Sequence, residues 1–171
     1  MKNNSNALNA RYLFIFCILL LYSMKGVAMS LLLGTEVVLF SPLEGKITYE
    51  GKPASNAKIV RLVRWKDDDG ESEVFYTNEN GDFSLPIKKA KVRIPMLAEF
   101  VVSQEITVFY SGNDFDIWLK STTEIDEYGG LGGYPKNLRC ELTNEVVHQE
   151  NFNGLFSTSC KWDSIINKGA K

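Results

Sequence analysis

Few residues of the chain are equipped to do chemistry. His148 is the single imidazole in 171 residues. It sits in Val146-Val147-His148-Gln149-Glu150 with no second His to share a metal or a proton. No G-x-S-x-G elbow accompanies it. Asp67-Asp68-Asp69-Gly70-Glu71 offers oxygen ligands for calcium, but its acids are consecutive and alternate in direction, unlike the D-x-[DN]-x-[DN]-G loop. A solvated hairpin tip is the simpler reading. Asp114, Asp116, Glu124, Asp126 and Glu127 extend the acidity into the second half. Gly129-Gly130-Leu131-Gly132-Gly133 lacks the Lys-Ser/Thr and the strand–helix frame of a phosphate loop. Between Tyr128 and Tyr134 it is instead a candidate partner-binding loop with two aromatic anchors, or else a flexible connection. Lys88, Lys89, Lys91 and Arg93 form a basic cluster, read as a solvated edge that discourages sheet association or as a contact for an acidic partner. No nucleophile with its base, no acid–base pair and no metal set assembles. The reading is therefore non-enzymatic, with no cofactor, no metal and no catalytic residue.

Charge and cysteine content bound the rest. The chain holds 19 basic and 21 acidic residues, for a net charge of −2; apolar residues are 44% and charged residues 23%. Those are globular values and exclude a disordered, collagen-like or multi-span membrane chain. Without a basic excess to neutralise phosphates, nucleic acid is not an expected partner. Residues 1–12 are polar and carry Lys2 and Arg11. Leu13 to Met24 is an apolar run that Lys25 ends, and Gly26 and Ala28 supply small residues before Met29. That order is a secretory signal over residues 1–28. The run is shorter than the roughly 20 residues of a bilayer span. An uncleaved anchor in the inner membrane, or a true start at Met29, are the alternatives. Cys17 follows bulky Phe14-Ile15-Phe16, where a lipidation signal has small residues. Loss of 1–28 removes Lys2, Arg11 and Lys25 and leaves 16 basic against 21 acidic residues, a net charge of −5. Cys140 and Cys160 then remain. An even count in an exported chain reads as one disulfide, closing residues 141–159 and tying the C-terminal segment to Arg139-Cys140-Glu141. Two free thiols are the alternative.

The elements that must position these residues read as strands. From Glu36 onward no 3.6-residue apolar period is sustained, and short β-rich runs alternate with turn signals. Strands are expected over 44–50, 57–65, 71–77, 83–85, 105–110, 114–120 and 137–142, with 88–97 an exposed strand or a loop. Ala57, Ile59, Arg61, Val63 and Trp65 share one face. Phe115, Ile117 and Leu119 alternate against Asp116, Trp118 and Lys120. Turns fall at Gly51-Lys52-Pro53, at Asp67–Gly70, at Asn78-Glu79-Asn80-Gly81, where Asn-Gly signals a hairpin, and at Ser111-Gly112-Asn113. Residues 121–135 read as a long polar connection and 163–171 as a flexible tail. The fold class is all-β: a seven- to eight-stranded antiparallel β-sandwich over 36–162, after an N-terminal signal helix.

Two blocks resemble a known domain class. Gly45, Ile47, Gly51, Pro53, Ala57 and Ile59 fill the pattern G-x-(V/I)-x-x-x-G-x-P-(apolar)-x-x-A-x-V. Thr77, Gly81 and Phe83 fill T-(D/N)-x-x-G-x-F. Together they resemble the carboxypeptidase regulatory-like and transthyretin-like (prealbumin-like) β-sandwich domains. The span Leu39 to Trp162, with Cys140-Glu141-Leu142-Thr143 and Cys160-Lys161-Trp162, is similar to a group of small bacterial proteins carrying a domain of unknown function. That resemblance supports the disulfide and implies no activity. The paired His, Arg and C-terminal Tyr-Arg-Gly-Ser of the transthyretin-like hydrolases of purine catabolism have no counterpart.

The expected function is that of an exported, non-enzymatic binding module of the cell envelope, periplasmic or secreted. Its partner would be a protein or an envelope glycan, with membrane contact only through an uncleaved N-terminal segment. An immunity protein against a secreted toxin, a structural or accessory envelope domain, and a small hydrolase using His148 are the alternatives.

Overall fold

Alternation of apolar and polar side chains, broken by glycine and asparagine turns, leaves the chain one economical way to satisfy its backbone, which is sheet. The computed structural model describes residues 34–66, 69–94 and 99–167. Residues 1–28, where the sequence predicts a secretory signal, with Cys17, and Asp67 and Asp68, lie outside the described residues. The chain divides into two compact units, residues 1–35 with 91–95 and residues 36–90 with 96–171. In the first, Gly34 takes φ 72°, and a Cβ there would come within 3.2 Å of the Val92 carbonyl oxygen. The second holds the sites described below.

The strands in chain order are β1 (Thr35–Phe40), β2 (Leu43–Tyr49), β3 (Lys52–Pro53), β4 (Lys58–Arg64), β5 (Glu71–Tyr76), β6 (Asp82–Leu85) and β7 (Lys88–Val92). They continue as β8 (Val102–Tyr110), β9 (Asn113–Thr122), β10 (Tyr134–Lys136), β11 (Leu138–Glu141), β12 (Val147–His148), β13 (Leu155–Thr158), β14 (Cys160–Lys161) and β15 (Ser164–Ile166). A 3-10 turn at Gly129–Leu131 is the one helical element among the described residues. The protein is all-β, as expected. The main sheet has six strands in the order β12-β13-β9-β8-β4-β5. A second has β14-β11-β2-β3 with β6 also on β2, and β1-β7 and β10-β15 make two-stranded pairs.

Several expectations are corrected. β2 and β11 run parallel, Gly45 beside Leu138 and Ile47 beside Cys140, so the pairing is not wholly antiparallel. The long chain between them makes that possible. The Asn78–Gly81 turn is tight as expected, with Asn78 Oδ1 accepting from the N–H of Asn80 and of Asp82 at 2.9 Å each. It is not a hairpin, because β5 pairs with β4 and β6 pairs with β2. The side-chain-bonded turn redirects the chain from one sheet to the other. The first turn sits one residue earlier than read. Glu50 (φ 52°) and Gly51 (φ 75°) form its tip, and Lys52 and Pro53 already pair with Tyr49 and Thr48. Pro53 is tolerated because β3 is an edge strand. Ser164–Ile166, expected in a flexible tail, pairs with Tyr134–Lys136.

The most consequential departure is in β9. The β8–β9 hairpin forms as expected, with Tyr110 opposite Asn113, but its register slips between Ile106 and Thr107. Ile106 faces Trp118 while Thr107 faces Asp116, leaving Ile117 as the extra residue. A bulge of one residue exchanges the two faces of everything beyond it. Trp118, Lys120 and Thr122 are consequently buried, and Leu119 is exposed. The simple alternation predicted the reverse for Leu119 and Lys120.

The expected disulfide is present. Cys140 and Cys160 are direct cross-strand neighbours, Cα to Cα 4.0 Å, and their sulfurs are bonded. Both cysteines are buried.

Candidate functional site

Two places in the fold have side chains with unused binding capacity. The first is the buried face of β9. Lys120 stands between Gln104 on β8 and Phe156 on β13 and is 5% exposed. The glycine-rich segment covers it. A Cβ at Gly130 would collide with the Lys120 ammonium and come within 2.9 Å of Thr122 Oγ1. Burial pushes the Lys120 amine down to about 8, against the pull of the Glu124 charge. No hydrogen bond or ion pair to this ammonium forms among the described residues. Trp118, two residues earlier on the same face, buries its indole N–H without an acceptor. Both line a cavity of about 20 Å³, together with Gln104, Thr122, Glu124 and Gly130.

The cover over this cavity is fastened at several points. Tyr128, held at φ 60°, donates its backbone N–H to Ser41 Oγ at 2.8 Å and its hydroxyl to the Pro42 carbonyl at 2.9 Å. Burial, then the nearby Glu127, Tyr134 and Glu44, raise the Tyr128 phenol to about 12. Its ring meets that of Tyr134 edge-on at 5.8 Å. Gly130, Leu131 and Gly133 are buried, whereas Gly129 is half-buried and Gly132 is exposed. The candidate partner loop Tyr128–Tyr134 is therefore packed inward over Lys120, and its two aromatic rings are engaged with each other.

The second place is the opposite face of the six-stranded sheet. Cross-strand registers set Tyr76, Lys58, Phe109 and Asp114 in one row and Val74, Val60, Thr107 and Asp116 in the next. Leu62, Glu105, Leu119 and Ser157 form a third row. Leu155 follows beside Ser121. Val74, Tyr76, Phe109, Leu119 and Leu155 on this face are all exposed, Tyr76 by 62% and Leu155 by 70%. Lys58 lies over the Phe109 ring at 5.2 Å.

The other sequence candidates are placed as follows. His148 is exposed, opposite Ser157, whose hydroxyl is 3.5 Å from its Nδ1. No carboxylate ion-pairs with it among the described residues. In the basic cluster, Lys88 bridges Glu71 and Glu73 at 3.0 and 3.1 Å, and Lys89 pairs with Glu36 at 2.9 Å. These two cations serve internal ion pairs, which the sequence did not indicate. Glu73 also receives Arg61 at 2.7 Å, and Arg61 is buried between the rings of Phe40 and Phe75. Among the described residues no three His, Cys, Asp or Glu side chains gather to hold a metal, and no helix is long and apolar enough to cross a membrane.

Sequence reasoning missed Lys120 and Trp118 as a pair. The signal available was their i, i+2 spacing beside a glycine-rich segment, but only the bulge turns them inward.

A family model described as "Domain of unknown function (DUF6795)" matches residues 43–145. The match takes in Trp118, Lys120, the glycine-rich cover and Cys140. No curated protein and no solved structure matches the chain.

Proposed function

We propose that this chain, which belongs to the DUF6795 family, is an exported, non-enzymatic protein-binding module of the cell envelope. The observation that carries this reading is the exposed apolar face of the six-stranded sheet. Val74, Tyr76, Phe109, Leu119 and Leu155 are exposed on one side of one sheet, interleaved with Lys58, Thr107, Glu105 and Ser157, the mixture of apolar and polar groups usual in a protein-binding surface. Asp114 and Asp116 stand at one end of the face, and the chain without residues 1–28 carries a net charge of −5. The partner that fits is a protein with an apolar centre and a basic rim, drawn in by charge and held by apolar contact. A basic secreted toxin, with this chain as its immunity protein, is one partner of that description.

The fold that goes with this reading is a β-sandwich of the carboxypeptidase regulatory-like or transthyretin-like kind. Gly81 at φ 76° and buried Phe83, Ala57 and Ile47 occupy the positions those motifs reserve for a turn and for core residues. The Cys140–Cys160 disulfide supports export, because such bonds persist in oxidising compartments.

The test is a photo-crosslinking residue placed at Phe109 and, separately, at exposed Asn144, in protein exposed to envelope extract of the native cells. The reading expects a discrete protein adduct from position 109 that Tyr76→Ser with Leu155→Ser suppresses. Equal adducts from both positions, or glycan adducts in place of protein, would overturn it.

A further inference from the structure

Lys120 and Trp118 line the cavity beside Gly130, and no acceptor among the described residues bonds the Lys120 ammonium or the Trp118 indole N–H. Lys120 is 95% withdrawn from solvent, at 5% exposure, and Trp118 is withdrawn further, at 2%. A buried ammonium or indole N–H without an acceptor is costly, and a partner of opposite charge offsets that cost most for the ammonium. Neighbouring groups leave the need unmet. Gln104 Nε2 is donated to the Leu39 carbonyl at 2.8 Å. The Thr122 hydroxyl oxygen accepts the Glu124 N–H at 3.1 Å, which leaves its O–H free to donate. The space is about 20 Å³, room for about one to two water-sized bodies by the usual measure of about 10–15 Å³.

We propose that this cavity is a binding site for a small monoanion of one to three heavy atoms, held by the Lys120 ammonium beneath Gly130, beside the Thr122 hydroxyl. Chloride and formate are ligands of this class. Acetate, with one more heavy atom, is too large. The charged and titratable groups that face the cavity are Glu124 and Asp126 on the connection after β9, and Tyr128 over its mouth. On the strands flanking β9, the cross-strand neighbours of Lys120 are neutral Gln104, which also lines the cavity, and apolar Phe156. Glu124 is the carboxylate whose charge acts on Lys120, and it competes with the anion without reaching ion-pairing distance.

The site makes anion affinity depend on the protonation of Lys120. Above the free-site value of about 8 the ammonium is lost. The affinity at pH 9 is then about tenfold weaker than at pH 7.

The experiment uses the full chain in gluconate buffer at fixed ionic strength. Chloride, formate or acetate replaces gluconate, followed by thermal unfolding and by chloride-35 NMR line width. The proposal expects a saturable rise in Tm with chloride and with formate and none with acetate. Chloride line broadening should be reversed by formate and fall about tenfold in affinity from pH 7 to pH 9. Glu124→Gln keeps the lysine and should strengthen binding several-fold, while Lys120→Met should abolish broadening. Equal response to all three anions would mean an ionic-strength effect only and would overturn the proposal. So would broadening that survives in Lys120→Met, or an absence of broadening in both the native chain and Glu124→Gln, which would assign the cavity to water.

Discussion

Gly130 lies against the ammonium of Lys120 so closely that no side chain fits between them. The glycine-rich segment is thereby a fitted cover over a buried cation. Gly130→Ala should force Lys120 or the cover aside. A cost of about 1–3 kcal/mol is expected, the range for forcing an added methyl against close neighbours. Chemical denaturation reads it as a lower midpoint at unchanged slope. Thr123→Ala on the same connection, at an exposed position, should move the midpoint little.

The buried Lys120 amine gives stability a pH dependence of definite sign. Its folded value of about 8 lies below the ordinary 10.5. Between those values the unfolded chain binds more protons than the folded one, so stability from this group rises with pH. The burial penalty is complete below about pH 8 and relieved as pH approaches 10.5. The displacement corresponds to about 3 kcal/mol as an order of magnitude. Denaturation midpoints taken from pH 7 to 10 in gluconate should therefore climb relative to those of Lys120→Met. Parallel curves for the two proteins would show that the amine keeps its ordinary protonation.

Cys140 and Cys160 join β11 to the last strands of the chain. Constraining a loop of this length in the unfolded state is worth roughly 3 kcal/mol in the chain-entropy model. Reduction, or Cys160→Ser, should lower stability by about that much. Alkylation of protein from native cells gives a second reading. Both thiols should be protected until reduction, in a chain whose intact mass lacks residues 1–28. Free alkylation of both Cys140 and Cys160 in a chain retaining residues 1–28 or starting at Met29 would remove the support for export.

Much of this architecture was legible because it rests on local rules. The alternation in 58–64, with Ile59 and Val63 inward, follows from strand geometry, and it placed Arg61 on the buried side as well. The tight turns at Gly51, Asn78–Gly81 and Gly112 follow from residue types that accept unusual backbone angles or bond their own backbone. What was hidden is non-local. Asn-Gly fixes a turn but not whether the next strand stays in the same sheet. Nothing in Asn113–Thr122 marks the extra residue at Ile117, because a bulge is settled by the registry of two strands together. Its consequence is the candidate site itself, since the shift that turns Leu119 outward turns Lys120 inward. The ion pairs of Lys88 with Glu71 and Glu73 likewise depend on which strands become neighbours.

Glu141 fixes the β2–β3 hairpin tip from a strand nearly a hundred residues away. Its carboxylate accepts from the Thr48 hydroxyl at 2.7 Å, from the N–H of Glu50 at 2.9 Å and of Gly51 at 3.0 Å, and from the Thr143 hydroxyl at 2.7 Å. Burial alone would raise this carboxyl. The bonds from Thr143, Thr48 and Gly51 outweigh it and hold the group at about 2. Because the folded value lies below the ordinary 4.5, the stabilisation is complete above about pH 4.5 and is lost as pH falls through 2. Glu141→Gln keeps the shape and removes the charge, so it should cost about 1 kcal/mol at pH 7, reduced by the solvent that reaches the site. The difference between native and Glu141→Gln stability should then shrink steadily from pH 4.5 to 2. A difference that stays constant across that range would assign the cost to packing and not to the carboxylate charge.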